Sequence, residues 1–323
     1  MRARFCVALL LLVAANPISL PAQDNARGVQ LFESHDRAGA RVEFSAALKA
    51  NNRDARAHYY LGRLSLLENQ PDAAVRHLKQ AVQLDANVSD YHVWYGNAMA
   101  QQAARASRLK QALVAPRVKS ELERAIALDG RNIDARDLLA DFYSLVPGIM
   151  GGSPKKAREQ AQAIARIDPM RGHLALGRVA MAAKDAATVE REMNAAIAAA
   201  PDSLQGYGAL AVWYTRAKKW PEAFAIMDRY VARRPADPYG AYGIARIAAA
   251  SGQQVDRALE GITAFIATPP RDAAPPVLAR AHVRLGQLLM HQGKRDEARA
   301  AFAQALKLDA RNDDAKKALA SSK

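Results

Sequence analysis

The residues that could do chemistry in this chain are few and scattered. Seven histidines are present, but none forms a His-Glu-x-x-His pair or any other metal-ligand spacing. The run Pro147-Gly148-Ile149-Met150-Gly151-Gly152-Ser153-Pro154, followed by Lys155 and Lys156, has the glycines and cations of a phosphate cradle. It lacks the P-loop order of glycine, lysine and hydroxyl, and no strand-like run precedes it, so it reads as a hairpin tip. No serine sits in a Gly-x-Ser-x-Gly turn. The single cysteine, Cys6, lies inside an N-terminal apolar run, ahead of any position a lipid anchor would use. No catalytic, cofactor or metal constellation emerges, and the chain does not read as an enzyme.

The N-terminus reads instead as an address. Arg2 and Arg4 precede the apolar run Phe5 to Ala15; Pro17 and Pro21 follow, and Leu20-Pro21-Ala22 suits cleavage after Ala22. Charge, length and flanks are those of a secretory signal over residues 1–22. The run is too short to span a bilayer, which takes about 20 residues, so no stable membrane span is expected once the signal is removed. Cleavage also removes the only thiol, excluding disulfides and thiolate chemistry. Taking Arg2 and Arg4 from the 46 lysines and arginines leaves 44 against 32 acids, a net charge of +12. That excess favours acidic surfaces of any class.

Half of the residues are apolar, yet only 6% are aromatic. Alanine dominates, and it favours helices that approach closely. The order in the chain is periodic. Gly28, Gly62 and Gly96 stand 34 apart, as do Ala40 and Ala74, Phe44 and Leu78, Ala47 and Ala81, and Pro201, Pro235 and Pro269. Each unit places small residues where two helices touch, a large apolar residue between them, and a Leu-Asp or Ile-Asp pair at the end, as at Leu84-Asp85, Leu128-Asp129, Ile167-Asp168-Pro169 and Leu308-Asp309. Proline at such a boundary stops the helix.

With these residues the chain resembles the tetratricopeptide-repeat family, most clearly over Leu285-Gly286, Gly293, Ala298, Phe302, Ala305 and Leu308-Asp309. The resemblance covers residues 24–320 as one domain. It implies an all-α, right-handed superhelical solenoid of about eight helix-turn-helix units. Their second helices carry Ala40, Ala74, Val118, Ala157, Val189, Ala223, Ala258 and Ala298 at one equivalent position, and Asp313 to Ala320 form a capping helix. The third, fourth and seventh units depart: extra residues enlarge the hairpins at about 101–117 and 145–156, and Pro269, Pro270, Pro275 and Pro276 mark a longer extended connection. The Pro-Gly-Ile-x-Gly-Gly-Ser loop is similar to that of a subset of exported bacterial members.

In this family the first helices line a concave face where extended peptides bind. That geometry puts Tyr59, Tyr60, Arg63, Trp94 and Asn97 on the inner face, then Asp134, Asp137 and Asp141, then Arg171 and Arg178, and finally Tyr239, Tyr242, Arg246, Arg280 and Arg284. Aromatics interleaved with arginine are the types in which binding energy concentrates. The paired lysine and asparagine of the family's carboxylate clamp are missing from the second and third units. His58, His173 and His282 recur where the family carries a bulky packing residue. On the enlarged loop, Ile149 and Met150 are expected as exposed apolar contacts.

The expected function is a protein- or peptide-binding scaffold of the bacterial cell envelope, periplasmic or extracellular, aiding assembly of an envelope complex. No cofactor and no nucleic acid are expected. Two alternatives remain: a basic helical-repeat binder of nucleic acid or another anionic polymer, and a non-catalytic accessory subunit of an enzyme. A steep fall of affinity with salt would mark the first.

Overall fold

The computed structural model describes residues 25–270, 273 and 275–322. The signal-like segment 1–22 and Cys6 lie outside the described residues. Seventeen α-helices follow one another, with no strand among the described residues. In order they are α1 Ala26–Glu33, α2 Arg37–Ala50, α3 Ala55–Leu67, α4 Pro71–Leu84, α5 Ser89–Ala104, α6 Arg108–Leu128, α7 Ile133–Leu145, α8 Pro154–Ala165 and α9 Pro169–Ala182. Then come α10 Ala186–Ala199, α11 Leu204–Arg216, α12 Trp220–Arg233, α13 Pro238–Ser251, α14 Val255–Ala267, α15 Pro275–His291, α16 Arg295–Leu308 and α17 Asp313–Ser321. Successive helices pack as hairpins, α1 with α2 through α15 with α16, and α17 covers the end of the stack.

Local chemistry sets these boundaries. The aspartate of each Leu-Asp pair leaves the helix with extended backbone, as at Asp85, Asp129 and Asp309. Its carboxylate then accepts the amide two residues on: Asn87 at 3.0 Å, Arg131 at 2.8 Å and Arg311 at 3.0 Å. At the next helix a side chain caps the first turn, Asp54 accepting from Ala57, Asn132 from Ala135 and Asp168 from Arg171. Within six of the hairpins the turn places a residue in the left-handed region: His35, Asn69, Lys184, Lys218, Gly252 and Gly293.

The eight residues at the equivalent second-helix position are all buried, none more than 4% exposed at Val118. Opposite them the glycines leave room for a large neighbour. A Cβ on Gly62 would stand 2.4 Å from Leu78, and one on Gly286 would stand 2.4 Å from Phe302. Small against large is the packing rule of the whole stack, and it makes an extra methylene costly.

The two layers of the stack are distinguishable by contact. Successive first helices touch: α3 with α5, α5 with α7, α7 with α9, α9 with α11, α11 with α13, α13 with α15 and α15 with α17. Second helices make no comparable contact with one another. Layers that are tight on one side and splayed on the other must curve, with the first helices inside.

The enlarged hairpins differ from the sequence expectation in one respect. The added residues of the first lie mostly in helix: α5 runs on to Ala104, and α6 begins at Arg108 behind a Ser107 cap and contains Pro116 in its interior. Between them only residues 105–107 form the turn. The second hairpin holds a short 3-10 turn, Gly148–Met150, which packs on α6.

Candidate functional site

The inner-face residues fall into three groups with different fates. In the first, Tyr59 is buried in the core, its ring 5.0 Å from those of Tyr60 and Tyr91, and burial pushes its hydroxyl pKa up. Tyr59 is therefore a packing residue that also receives a hydrogen bond from Arg63, and the expected surface role is corrected. Tyr60, half-buried, stacks on Phe44 at 4.7 Å. The Arg63 guanidinium lies 4.7 Å from the Phe32 ring and 4.5 Å from the Trp94 ring. Its Nε is buried and makes no hydrogen bond among the described residues. Each such cation–ring contact contributes about 0.5–2 kcal/mol. The result is an aromatic-framed cation on α3. Asn97, on the next first helix, accepts from Gln101 at 3.1 Å.

In the second group the charges answer one another. Arg171 pairs with Asp134 at 2.5 Å, and Arg178 pairs with Asp137 and, at 3.3 Å, with Asp141. These bridges tie α7 to α9 across the inner face. Burial raises the Asp137 pKa, while the Arg178 charge pulls it back. Arg171 and Arg178, expected on the inner face as partner contacts, are engaged as struts between α7 and α9.

In the third group Tyr239 and Tyr242 set their rings 5.4 and 5.3 Å from Phe265 of the outer layer. Arg246 donates to the Gly208 carbonyl at 3.5 Å and Arg284 to the Gln287 side chain at 2.7 Å. In both arginines Nε is buried and unbonded among the described residues. Burial, with the Arg284 charge adding to it, lowers the Arg246 pKa. Arg280 is exposed.

The enlarged hairpins enclose a pocket of about 630 Å³ between α5, α6 and the end of α7. Its apolar wall includes Val114, Leu122, Leu138 and Phe142, and Asn97 and Asp141 of the inner face also line it. The glycine loop is bound into this wall. Met150, Gly151 and Gly152 return hydrogen bonds to Pro147 and Gly148, and the Ser153 amide donates to Tyr143 at 2.8 Å. Gly152 has no room for a side chain, since a Cβ there would stand 1.7 Å from the Val146 carbonyl oxygen. Ile149 projects at 99% exposure, as expected. Met150 does not: it is half-buried and lines the pocket.

Three histidines tie the two helices of a single unit together. His92 bonds Glu121 at 2.6 Å and His173 bonds Glu192 at 2.9 Å, each reaching from a first helix to its own second helix. His58 meets His77 in the same way at 3.1 Å. His92, one repeat after His58, belongs to this series and its 34-residue offset was a readable signal. Among the described residues no group of three or more metal-ligating side chains occurs.

Residues 31–101 and 279–312 match sequence profiles of the tetratricopeptide repeat. A structure of yeast Tom70 shares the fold with a TM-score of 0.71 at 17% identity, covering 97% of this chain and 66% of that one. The chain thus spans just under two thirds of that relative's length. A tetratricopeptide repeat protein from Parabacteroides merdae ATCC 43184 matches with a TM-score of 0.50 at 14% identity, over 83% of this chain and 98% of that one. No curated protein matches the chain. The fold is a tetratricopeptide-repeat solenoid, and such arrays in general serve as protein–protein interaction scaffolds.

Proposed function

We propose that this chain is a scaffold of the bacterial cell envelope that holds a protein or peptide segment along its inner face and so helps to assemble an envelope complex. The observation that carries the reading is Arg63, seated against Phe32 and Trp94 with an unbonded, buried Nε. Buried donors in a native structure find partners, and a segment with acidic and apolar side chains supplies both the acceptor and the ring contact. Arg246 and Arg284, farther along, likewise have a buried Nε with no hydrogen bond among the described residues. The paired charges of Arg171 and Arg178 between them serve the shape of the groove. Export rests on Arg2, Arg4 and the Phe5 to Ala15 run, and a processed N-terminus at or near Gln23 is its expected consequence.

The test is capture from an envelope extract on immobilised protein, wild type against Arg63→Ala and Arg246→Ala, with helix content checked by circular dichroism. A partner held by wild type and bound about tenfold more weakly by either variant supports the reading. Capture that is indifferent to both substitutions contradicts it.

A further inference from the structure

The enlargement of the third unit opens a cavity where the packing rule of the stack lapses. Helix α3 ends five residues beyond Gly62 and α7 five beyond Ala140, whereas α5 runs eight beyond Gly96, to Ala104. Helix α6 then takes 21 residues where the other second helices take 12 to 14. The last turn of α5 and the first turns of α6 therefore stand beyond their neighbours α3 and α7. Elsewhere a small residue meets a large one, as Gly62 meets Leu78. Here Ala100, Ala103 and Ala104 of α5 and Ala115 of α6 line the cavity of about 630 Å³, together with Leu138 and Phe142 of α7. Close-packed interiors hold few voids larger than a water molecule, whereas pockets that bind small molecules run about 300–1,000 Å³.

The wall carries four polar side chains, Asn97, Arg108, Gln111 and Asp141. Three of them are engaged. Asn97 accepts from Gln101 at 3.1 Å, Gln111 donates to the Ala106 carbonyl oxygen at 3.0 Å, and Asp141 accepts from Arg178 at 3.3 Å. The Arg108 side chain makes no hydrogen bond or ion pair among the described residues. Asn97 and Asp141 hold equivalent positions on successive first helices, each following the small residue at Gly96 and Ala140, so they stand together at one end. Ala104 lies seven residues, about 10 Å, beyond Asn97 along α5, and Arg108 opens α6 just past the turn. The unpartnered cation and the paired carboxylate are thus at opposite ends of the cavity.

We propose that this cavity binds a single-chain amphiphile with a carboxylate head, its hydrocarbon lying along the alanine wall and its carboxylate meeting the Arg108 guanidinium. A planar guanidinium takes a carboxylate through two parallel hydrogen bonds. A hydrocarbon chain asks nothing polar of walls made of alanine, valine, leucine and phenylalanine. A peptide in the same place would bring an N–H and a C=O at each residue. With three of the four polar side chains already engaged, the walls hold few partners for them. The inner-face arginines take no part, so this inference stands without the groove reading.

The experiment is isothermal titration calorimetry of the protein, as recovered from its cells and passed over a lipid-adsorbing resin, with decanoate, decanol and butanoate. Three variants accompany it: Ala100→Trp with Ala104→Trp, which narrows the cavity; Arg108→Gln, which removes the cation; and Leu113→Ser, exposed and outside the cavity wall. Ala100, Ala104 and Arg108 are exposed, so the fold should survive, and circular dichroism checks it. Should the tryptophan variant not fold, Arg108→Gln decides alone. Expected are saturable binding of decanoate, roughly tenfold weaker binding of decanol, and the same loss for decanoate in Arg108→Gln. Butanoate, which has the head without the chain, should not bind, and the tryptophan variant should lose both longer ligands. Absence of saturable decanoate binding, equal affinity for decanoate and decanol, or an Arg108→Gln or folded tryptophan variant that binds as wild type does would overturn the proposal. So would loss of binding in Leu113→Ser, which would assign the effect to adsorption on exposed apolar surface.

Discussion

The guanidinium of Arg311 donates to the backbone carbonyl oxygen of Glu68 at 2.8 Å, across 243 positions of sequence. Arg311 sits between α16 and α17, and Glu68 is the C-cap of α3. The array therefore coils far enough to bring its last unit against its second. Arg311→Ala is expected to change stability by less than ~0.5 kcal/mol, since the contact is exposed. The same variant should show a larger radius of gyration in X-ray scattering. An unchanged scattering curve would mean that the contact does not hold the ends together.

Gly152 is the position where the second enlarged hairpin tolerates least. Gly152→Ala drives a methyl group into the Val146 carbonyl, and the loop must open to relieve it. Destabilisation of roughly 1–3 kcal/mol is expected in chemical denaturation. Gly148→Ala, whose Cβ would meet nothing within 4 Å, is the matched control and should be nearly silent.

Ala74 and Ala223 are fully buried at helix contacts. Replacing either with leucine should cost about 1–3 kcal/mol by overpacking. Melting curves unmoved by both would remove them from those contacts.

The histidine contacts give the protein a dependence on pH with two opposing parts. His77 is held neutral, its pKa lowered to about 4 by burial first and by His58 second. Because the folded value lies below the unfolded one of about 6.5, this stability is whole above that pH and is lost as pH falls toward the folded value. His92 is raised by its bond to Glu121, so its contribution is whole below about 6.5 and is lost as pH rises through its folded value. His77→Gln should flatten the acid side of a plot of melting temperature against pH, and Glu121→Gln the neutral side. A plot altered by neither would show that these pairs do not titrate with folding.

The hairpin units and their buried alanines were legible in the sequence because period and residue size report helix packing directly. Side-chain direction was less so. Tyr59 and Tyr60 are adjacent, and one turns into the core beside Tyr91 while the other stacks on Phe44; spacing alone does not separate neighbours at a seam. The aspartate–arginine ties also have a signature in the spacing. Asp134 and Arg171, like Asp141 and Arg178, stand 37 apart, which is the local repeat length from Ala140 to Gly177. Opposite charges at that spacing meet on successive first helices. The first enlarged hairpin read as loop, yet the good helix formers after Ser107 carry α6 through Pro116.

The central claim, that the inner layer is the partner surface, is tested most directly by photo-crosslinking in living cells. A photoreactive residue is placed at Trp94 or Tyr242 on first helices, and at the exposed Arg76 or Arg124 on second helices. The account predicts a discrete protein adduct from Trp94 and Tyr242 and none from Arg76 or Arg124. Adducts confined to Arg76 and Arg124, or equal at all four positions, would contradict it.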